Sequence, residues 1–127
     1  MALSLGFNGQ LTLSCKCKDR KASTKWYADK LGFNLLYDVE EIAWCELATC
    51  IPGVNVGLSE VESPKVGEGP VPTFGVTDID AARHQLEEAG VRFDGETMTI
   101  PDMVKLATFY DPDGNALMLF QMLGSPD

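Results

Sequence analysis

The side chains best suited to nucleophilic or metal chemistry are four cysteines and one histidine. Cys15 and Cys17 stand two apart in a segment with the alternation of a β-strand, so they share a face and cannot easily bond to each other. No CxxC pair or nearby histidine completes four ligands, although a soft-metal site on this pair is an open alternative. His84 lies off the apolar stripe of a predicted helix, where we expect it to face water. We therefore expect reduced, buried thiols and no histidine-based triad.

Length and composition indicate one globular domain spanning residues 1–127. The chain is 45% hydrophobic, enough for a substantial core, and its net charge of −9 argues against a general nucleic-acid surface. The longest apolar runs, such as 116–120, are too short to cross a bilayer. The first residues lack the charged and long apolar regions of a signal peptide, so we expect a cytoplasmic protein without nucleic-acid or membrane partners.

Positive charge is concentrated in one segment. Residues 16–30 hold six basic side chains and two acidic ones, whereas the rest of the chain is strongly acidic. We favour a solvated basic helix face as the interpretation. The alternative is electrostatic self-association, in which this basic helix meets an acidic patch on a second copy.

An internal repeat organises these residues into two similar halves. Asp19 and Gly32 bracket one predicted helix, and Asp78 and Gly90 bracket another, at offsets of 59 and 58 residues. Residues 61–70 have the composition of a linker. Alternation predicts strands at 11–18, 34–39, 42–48 and 54–60, and again near 72–77, 92–98, 104–110 and 115–121. The pattern therefore predicts a βαβββ module in each half, at about 8–60 and 71–122.

Three segments of the repeat carry a family resemblance: Trp26-Tyr27-Ala-Asp-Lys-Leu-Gly-Phe33, Val76-Thr-Asp78 and Asp111-Pro-Asp-Gly-Asn115. With them the chain resembles the vicinal oxygen chelate superfamily, which includes glyoxalase I, extradiol dioxygenases, fosfomycin-resistance enzymes and bleomycin-resistance proteins. The resemblance implies an α+β fold in which tandem βαβββ modules form curved mixed sheets around a cavity. It also implies a homodimer, and unpaired strand edges would favour one.

Metal-dependent members of that superfamily carry ligands on the first and last strands of each module. The equivalent positions here are Thr12, Gly57, Val71 and Met118. Glycine and valine offer no side-chain ligand, a threonine hydroxyl is weak, and a thioether prefers soft metals. We therefore expect no metal and no cofactor, which disfavours metal-dependent lyase, dioxygenase and thiol-transferase reactions.

Strand phase predicts which side chains line the cavity implied by the resemblance. If Leu13 and Cys15 pack under the helix, and Cys45 and Leu47 are core, the alternate residues point into the cavity. The predicted lining is Thr12, Ser14, Lys16, Trp44, Glu46, Asn55, Gly57, Ser59, Leu106, Thr108, Met118 and Phe120. The alternatives are edge packing of Trp44, solvent exposure of Glu46, and a closed core filled by Met118 and Phe120.

Three functions fit this lining. The first is a metal-independent small-molecule-binding protein, resembling bleomycin-resistance-type proteins, that sequesters a cationic or aromatic ligand through Glu46 and Trp44. The second is a metal-independent isomerase or lyase with Glu46 as general base, its pKa raised beside Trp44. The third is a non-catalytic accessory module. Binding ranks first because the sequence contains no evident nucleophile–base pair or phosphate-binding glycine loop.

Overall fold

The computed structural model describes residue 4 and residues 6–65, 67 and 70–123 of the chain. Positions 66, 68 and 69 of the predicted linker lie outside the described residues, as do both chain ends. The elements are β1 (Leu11–Cys17), α1 (Arg20–Leu31), β2 (Asn34–Val39), β3 (Trp44–Ala48), β4 (Val54–Glu60), β5 (Thr73–Gly75), α2 (Ile79–Glu88), β6 (Arg92–Phe93), β7 (Met98–Ile100), β8 (Val104–Tyr110) and β9 (Ala116–Met122). A single 3₁₀ turn (Glu40–Ile42) delays the start of β3 by two residues relative to the prediction. Within the described ranges, neither helix has the length and apolar character needed to cross a bilayer.

Both helices begin where the sequence predicts. The Asp19 and Asp78 carboxylates each accept a hydrogen bond from the backbone N–H three residues on, at 3.0 and 3.1 Å, which satisfies an otherwise free donor. Helix α1 ends at Gly32, whose left-handed φ of 74° requires a residue without a Cβ. In α2 the helix ends one residue earlier than predicted, at Ala89, and Gly90 takes the left-handed conformation.

The strands form two mixed sheets. The first sheet has the order β1-β4-β3-β2, and the second has the order β5-β9-β8-β6 with β7 also paired to β8. In each sheet the first and last strands of a module pair in parallel, and the other pairings are antiparallel. The predicted α+β fold with curved mixed sheets is therefore confirmed.

One predicted strand is wrong. Residues 92–98 form two short strands rather than one, because the chain turns at Gly95, whose φ is 67°. The Arg83 guanidinium stabilises this turn by donating to the Gly95 carbonyl at 2.6 Å and to Thr97 Oγ1 at 3.1 Å. The Asp94-Gly95 pair is a turn signal in the sequence, and the prediction of one strand over 92–98 followed the alternation and missed this signal.

The core draws on both sheets and both helices. Its largest fully buried side chains are Tyr27, Phe109, Leu47, Leu58 and Ile79. On α2, Ala82 and Leu86 pack against this core as predicted, whereas Ala89, the third member of the predicted stripe, is exposed. His84 is 70% exposed and pairs with Glu88, in agreement with its predicted place on the water-facing side.

Arg20 departs from the interpretation of residues 16–30 as a solvated basic face. Its side chain is only 3% exposed and contacts three carboxylates: Asp38 at 2.8 Å, Glu40 at 2.7 Å and Glu60 at 3.3 Å. The planar guanidinium has enough donors to serve all three at once. It joins α1 to β2, to the 3₁₀ turn and to β4, and its hydrogen bond holds the pKa of Asp38 below its ordinary value. Lys21, next in the chain, is exposed as expected.

The loop at residues 111–115 of the second module binds the first module along a boundary that we call the seam. Tyr27 on α1 donates its buried hydroxyl to Asp111 Oδ2 at 2.9 Å. Burial raises the pKa of Tyr27. Burial also raises the pKa of Asp111, although the hydrogen bonds that Asn115 and Tyr27 donate to this carboxylate act to lower the pKa of Asp111. The remaining seam contacts run from Lys18 N to Asp113, from Ser23 Oγ to Asp113, and from Asn115 Nδ2 to the Lys16 carbonyl.

Candidate functional site

Glu46 lies at the centre of one face of the first sheet. Burial alternates along β3, where Cys45 and Leu47 are 0% and 1% exposed and Trp44 and Glu46 are half-buried. The face opposite to the buried side chains is called the open face. The strand registers place on it Thr12, Ser14, Lys16, Tyr37, Trp44, Glu46, Asn55, Gly57 and Ser59.

Each of the other three strands in this sheet sends a donor to the Glu46 carboxylate. Thr12 Oγ1 on β1 and Asn55 Nδ2 on β4 donate to Oε2, at 3.0 and 2.8 Å. Tyr37 OH on β2 donates to Oε1 at 2.7 Å. An ionised carboxylate has about four acceptor positions, so the open face is built around a carboxylate that is largely satisfied by its own sheet.

These donors determine the protonation of Glu46. Burial alone would raise its pKa, but hydrogen bonds from Asn55, Tyr37, Thr12 and Trp44 outweigh burial and lower the pKa below its ordinary value. The expectation of a raised pKa beside Trp44 is therefore wrong. Because a carboxylate with a lowered pKa is a weaker base, the geometry favours Glu46 as a fixed negative charge over Glu46 as a proton acceptor.

Trp44 lies across Gly57 on the neighbouring strand. A Cβ placed on Gly57 would overlap atoms of the Trp44 ring, so the glycine is what allows the indole to approach the sheet. The ring thereby occupies space above one of the four positions at which metal-dependent relatives carry a ligand. It forms an aromatic surface next to the Glu46 charge.

The residues at the metal-ligand positions do not fit a divalent ion. Thr12 is bonded to Glu46, Gly57 is covered by Trp44, and Val71 is an apolar side chain that is 41% exposed. Met118 supplies only a thioether, which is a poor ligand for hard or borderline cations. Among the described residues, no group of three or more His, Cys, Asp or Glu side chains could hold a metal.

The cysteines are free thiols with contrasting exposure. Burial raises the pKa of Cys15 to about 11 and that of Cys17 to about 12, and Cys45 is also buried. Cys50, in contrast, is exposed in the turn after β3, so the expectation that all four thiols are buried is wrong for this one. Cys15 is half-buried, so the expectation holds in full only for Cys17 and Cys45. Strand β3 itself ends at Ala48, as predicted.

The second-sheet residues predicted to line the cavity also share one face. Leu106 pairs with Phe120 and Thr108 with Met118, and all four side chains are half-buried. The Phe120 ring covers Gly75 on β5, where an added Cβ would lie 2.9 Å from Phe120 Cζ. Each sheet therefore has an aromatic ring lying over a glycine of the adjacent strand.

The structure brings together only part of the predicted lining. Thr12, Glu46 and Asn55 form one hydrogen-bonded network, with Trp44 beside it. Among the described residues, no hydrogen bond connects this network to the second-sheet set. Ser14 and Ser59 lie on the open face outside the network.

Tyr37 was missed by the sequence reasoning. It stands opposite Glu46 in the β2–β3 register. A register irregularity between Leu35 and Tyr37 sets the phase of this strand, and sequence alternation alone does not locate such an irregularity.

Each curved sheet pairs the first and last strands of its module in parallel, and one helix belongs to each module. Two such modules in one chain define the tandem βαβββ class of proteins. A model of the Glyoxalase/Bleomycin resistance protein/Dioxygenase superfamily matches residues 13–119, and the chain belongs to this superfamily.

Individual relatives agree with this assignment. The chain is 28% identical over 117 residues to the uncharacterized protein YurT of Bacillus subtilis (strain 168), covering 82% of this chain and 91% of YurT. It is similar to the crystal structure of TnmS3, an antibiotic binding protein from Streptomyces sp. CB03234, with a TM-score of 0.76, 25% identity, and coverage of 94% of this chain and 99% of TnmS3. A superfamily member from Sphaerobacter thermophilus DSM 20745 has the same fold, with a TM-score of 0.76 and 22% identity over 92% of this chain and 99% of its own.

Proposed function

We propose that this protein is a metal-independent binding protein that sequesters a cationic or aromatic small molecule on its open face. The observation that carries the proposal is the Glu46 carboxylate, kept ionised by donors from three strands and placed beside the Trp44 ring. A fixed charge next to an aromatic surface attracts a cation and stacks with a planar ligand without any chemical step.

Two further observations support binding over catalysis. The lowered pKa of Glu46 makes it a poor general base near neutral pH. TnmS3, which has the same fold and 25% identity over nearly the whole chain, is described as an antibiotic binding protein. The four free cysteines suit the reducing cytoplasm, which we propose as the location.

We also propose that the binding site is completed in a homodimer. The second sheet and its β7–β8 turn expose a set of apolar side chains: Met98 (59%), Ile100 (38%), Met103 (57%), Met122 (51%) and Leu123 (39%). Small-molecule sites combine mostly apolar walls with a few polar groups, and the open face supplies mainly polar groups beside the Trp44 ring. An isologous pair, in which each copy places this apolar surface against the other's open face, would form two equivalent enclosed sites.

The dimer is tested by sedimentation of the wild-type protein and of Met122→Glu at tens of micromolar. We expect a wild-type dimer and a variant that is mostly monomeric, because the new carboxylate would be buried in the interface against an open face that already carries the Glu46 charge. Glu62→Gln, an exposed position away from this surface, is the control and should remain dimeric. A wild-type monomer across this range would rule out the dimer.

The binding role is tested with a matched ligand pair, the 2-naphthylmethylammonium cation and the neutral 2-naphthalenemethanol, followed by Trp44 fluorescence. Trp26 is replaced by phenylalanine to remove the second indole signal. In that background Glu46→Gln should weaken binding of the cation by about 1–3 kcal/mol, the scale of a charge-assisted hydrogen bond, and leave the alcohol unaffected.

Glu41→Gln is the matched control, since Glu41 is exposed in the 3₁₀ turn and its loss changes the net charge equally. Equal binding of the cation by the Glu46 and Glu41 variants would refute the proposed role of Glu46. Unchanged binding with lost turnover of a substrate would instead identify Glu46 as a general base.

A further inference from the structure

A cleft at the seam is lined by positively charged side chains, whereas the Glu46 site is built around a negative charge. It has a volume of about 590 Å³, within the range of small-molecule sites, and lies between β1, the segment after β4, and the beginnings of β5 and β9. Its walls are mainly apolar and come from Val61, Pro70, Val71, Pro72 and Ala116. The walls suit the hydrocarbon body of an organic molecule.

The polar side chains among the described lining residues are two ammonium groups, two hydroxyls, a thiol and an amide, which belong to Lys16, Lys65, Ser14, Ser63, Cys15 and Asn115. No aspartate or glutamate is among the described residues that line the cleft. In a chain with nineteen acidic and ten basic residues, two lysines and no carboxylate among these described residues are a distinct local charge pattern.

These lysines are not neutralised within the described part of the chain. The ion pairs among the described residues involve other basic side chains, and neither Lys16 nor Lys65 has a described carboxylate within 4.0 Å. Glu60 and Glu62 line an adjacent shallow cleft with Lys18, which shares Val61 and Ser63 with the seam cleft. At physiological salt the Debye length is about 8 Å, so acidic residues farther away than this are largely screened, whereas the two ammonium groups belong to the cleft lining itself.

We infer that the seam cleft is a binding site for a small organic anion, a carboxylate carried on an aromatic or aliphatic body. The apolar walls receive the body, and the Lys16 and Lys65 ammonium groups receive the carboxylate with the Ser14 and Ser63 hydroxyls nearby. Ser14 and Lys16 also lie on the open face, but Glu46 and its hydrogen-bond donors do not line the cleft, and the cleft prefers the opposite ligand charge. The inference therefore does not rest on the function proposed above.

The test uses two probes with the same aromatic body, 2-naphthoate and its neutral amide 2-naphthamide, titrated calorimetrically into the full-length protein. We expect the parent to bind naphthoate at least about tenfold more tightly than naphthamide, a ratio that corresponds to 1.4 kcal/mol. The double variant Lys16→Gln/Lys65→Gln should lose this preference while still binding naphthamide, which verifies that the cleft remains folded. Amide NMR shifts on adding naphthoate should be largest around Ser14, Val71 and Ala116.

Lys21→Gln/Lys25→Gln is the matched control. This control also removes two positive charges, but from exposed positions of α1 that do not line the cleft. The control variant should retain the preference for naphthoate. The inference is overturned if the parent binds neither probe, or binds both equally. It is equally overturned if the cleft variant keeps the preference, or if the control variant loses it to the same extent.

Discussion

Replacing Tyr27 with phenylalanine removes one hydroxyl from the seam and leaves the packing of the aromatic ring intact. The lost contact is a 2.9 Å hydrogen bond to the carboxylate of Asp111, and both side chains are buried, at 0% and 3% exposure. A hydrogen bond to a charged group contributes about 1.5–3 kcal/mol, so Tyr27→Phe should lower the free energy of unfolding by that amount at pH 7.

The same substitution should have a pH signature. The hydroxyl binds the ionised Asp111 more strongly than the protonated form, so it lowers the pKa of Asp111. Its removal raises that pKa further, and a protonated Asp111 loses only a neutral hydrogen bond. The stability difference between parent and variant should therefore shrink towards about 0.5–1.5 kcal/mol as the pH falls through the folded-state pKa of Asp111.

Urea unfolding of parent and variant, at several pH values from 7 down to 4, measures this difference. Tyr110→Phe is the control, because Tyr110 is half-buried and its hydroxyl makes no hydrogen bond among the described residues. The control should change stability by less than about 0.5 kcal/mol. A Tyr27→Phe cost no larger than the control, or a cost that grows on acidification, would refute the assignment of the seam contact.

Three other perturbations follow from the structure. Gly57→Ala should displace the Trp44 ring, destabilising the protein by about 1–3 kcal/mol and shifting its indole emission; an unchanged spectrum would contradict the close approach. Arg20→Met should lower stability at neutral pH, since it leaves its carboxylate partners without their cation. The Arg20 hydrogen bond lowers the pKa of Asp38 in the folded state. The loss of stability in Arg20→Met should therefore be full at pH values above the ordinary aspartate pKa and should vanish as the pH falls through the folded-state pKa of Asp38. Urea midpoints of parent and variant, measured over an acid pH series, would show this dependence. One thiol per native chain, Cys50, should react quickly with a disulfide reagent at pH 8. Two or more fast thiols would disagree with the burial of Cys17 and Cys45 and with the raised pKa of Cys15.

Much of the fold could be predicted because its signals are local. Asp19 caps a helix through its own side chain, and Gly32 ends that helix through its own backbone, so single residue types mark both boundaries. Strands such as β3 and β8 bury alternate side chains against a core, which leaves a period of two in the sequence. The break between β6 and β7 falls at Asp94-Gly95, a local turn signal that the alternation-based prediction missed, and Arg83 of the preceding helix stabilises this turn through hydrogen bonds.

The candidate site was predictable in composition but not in electrostatics. Strand phase placed Thr12, Glu46 and Asn55 on one face, and the hydrogen bonds join them. The direction of the Glu46 pKa shift depends on how many donors reach the carboxylate, and that number includes Tyr37 beyond a strand irregularity. Arg20 illustrates the same limit, because its three partners lie 18, 40 and 20 positions away in sequence and meet only in the folded chain.

The seam contacts also bear on how fast and at what entropic cost a ligand could enter the cleft beside them. Two of the cleft walls belong to the two modules, and the hydrogen bonds from Asn115 Nδ2 to the Lys16 carbonyl and from the Lys18 N–H to Asp113 hold those walls together before any ligand arrives. The module walls therefore lose little backbone freedom on binding, so most of the ordering cost falls on the linker residues that complete the cleft and on the long lysine side chains. Association would then require no hinge motion between modules, and its rate would be set by diffusion and local charge rather than by a conformational step.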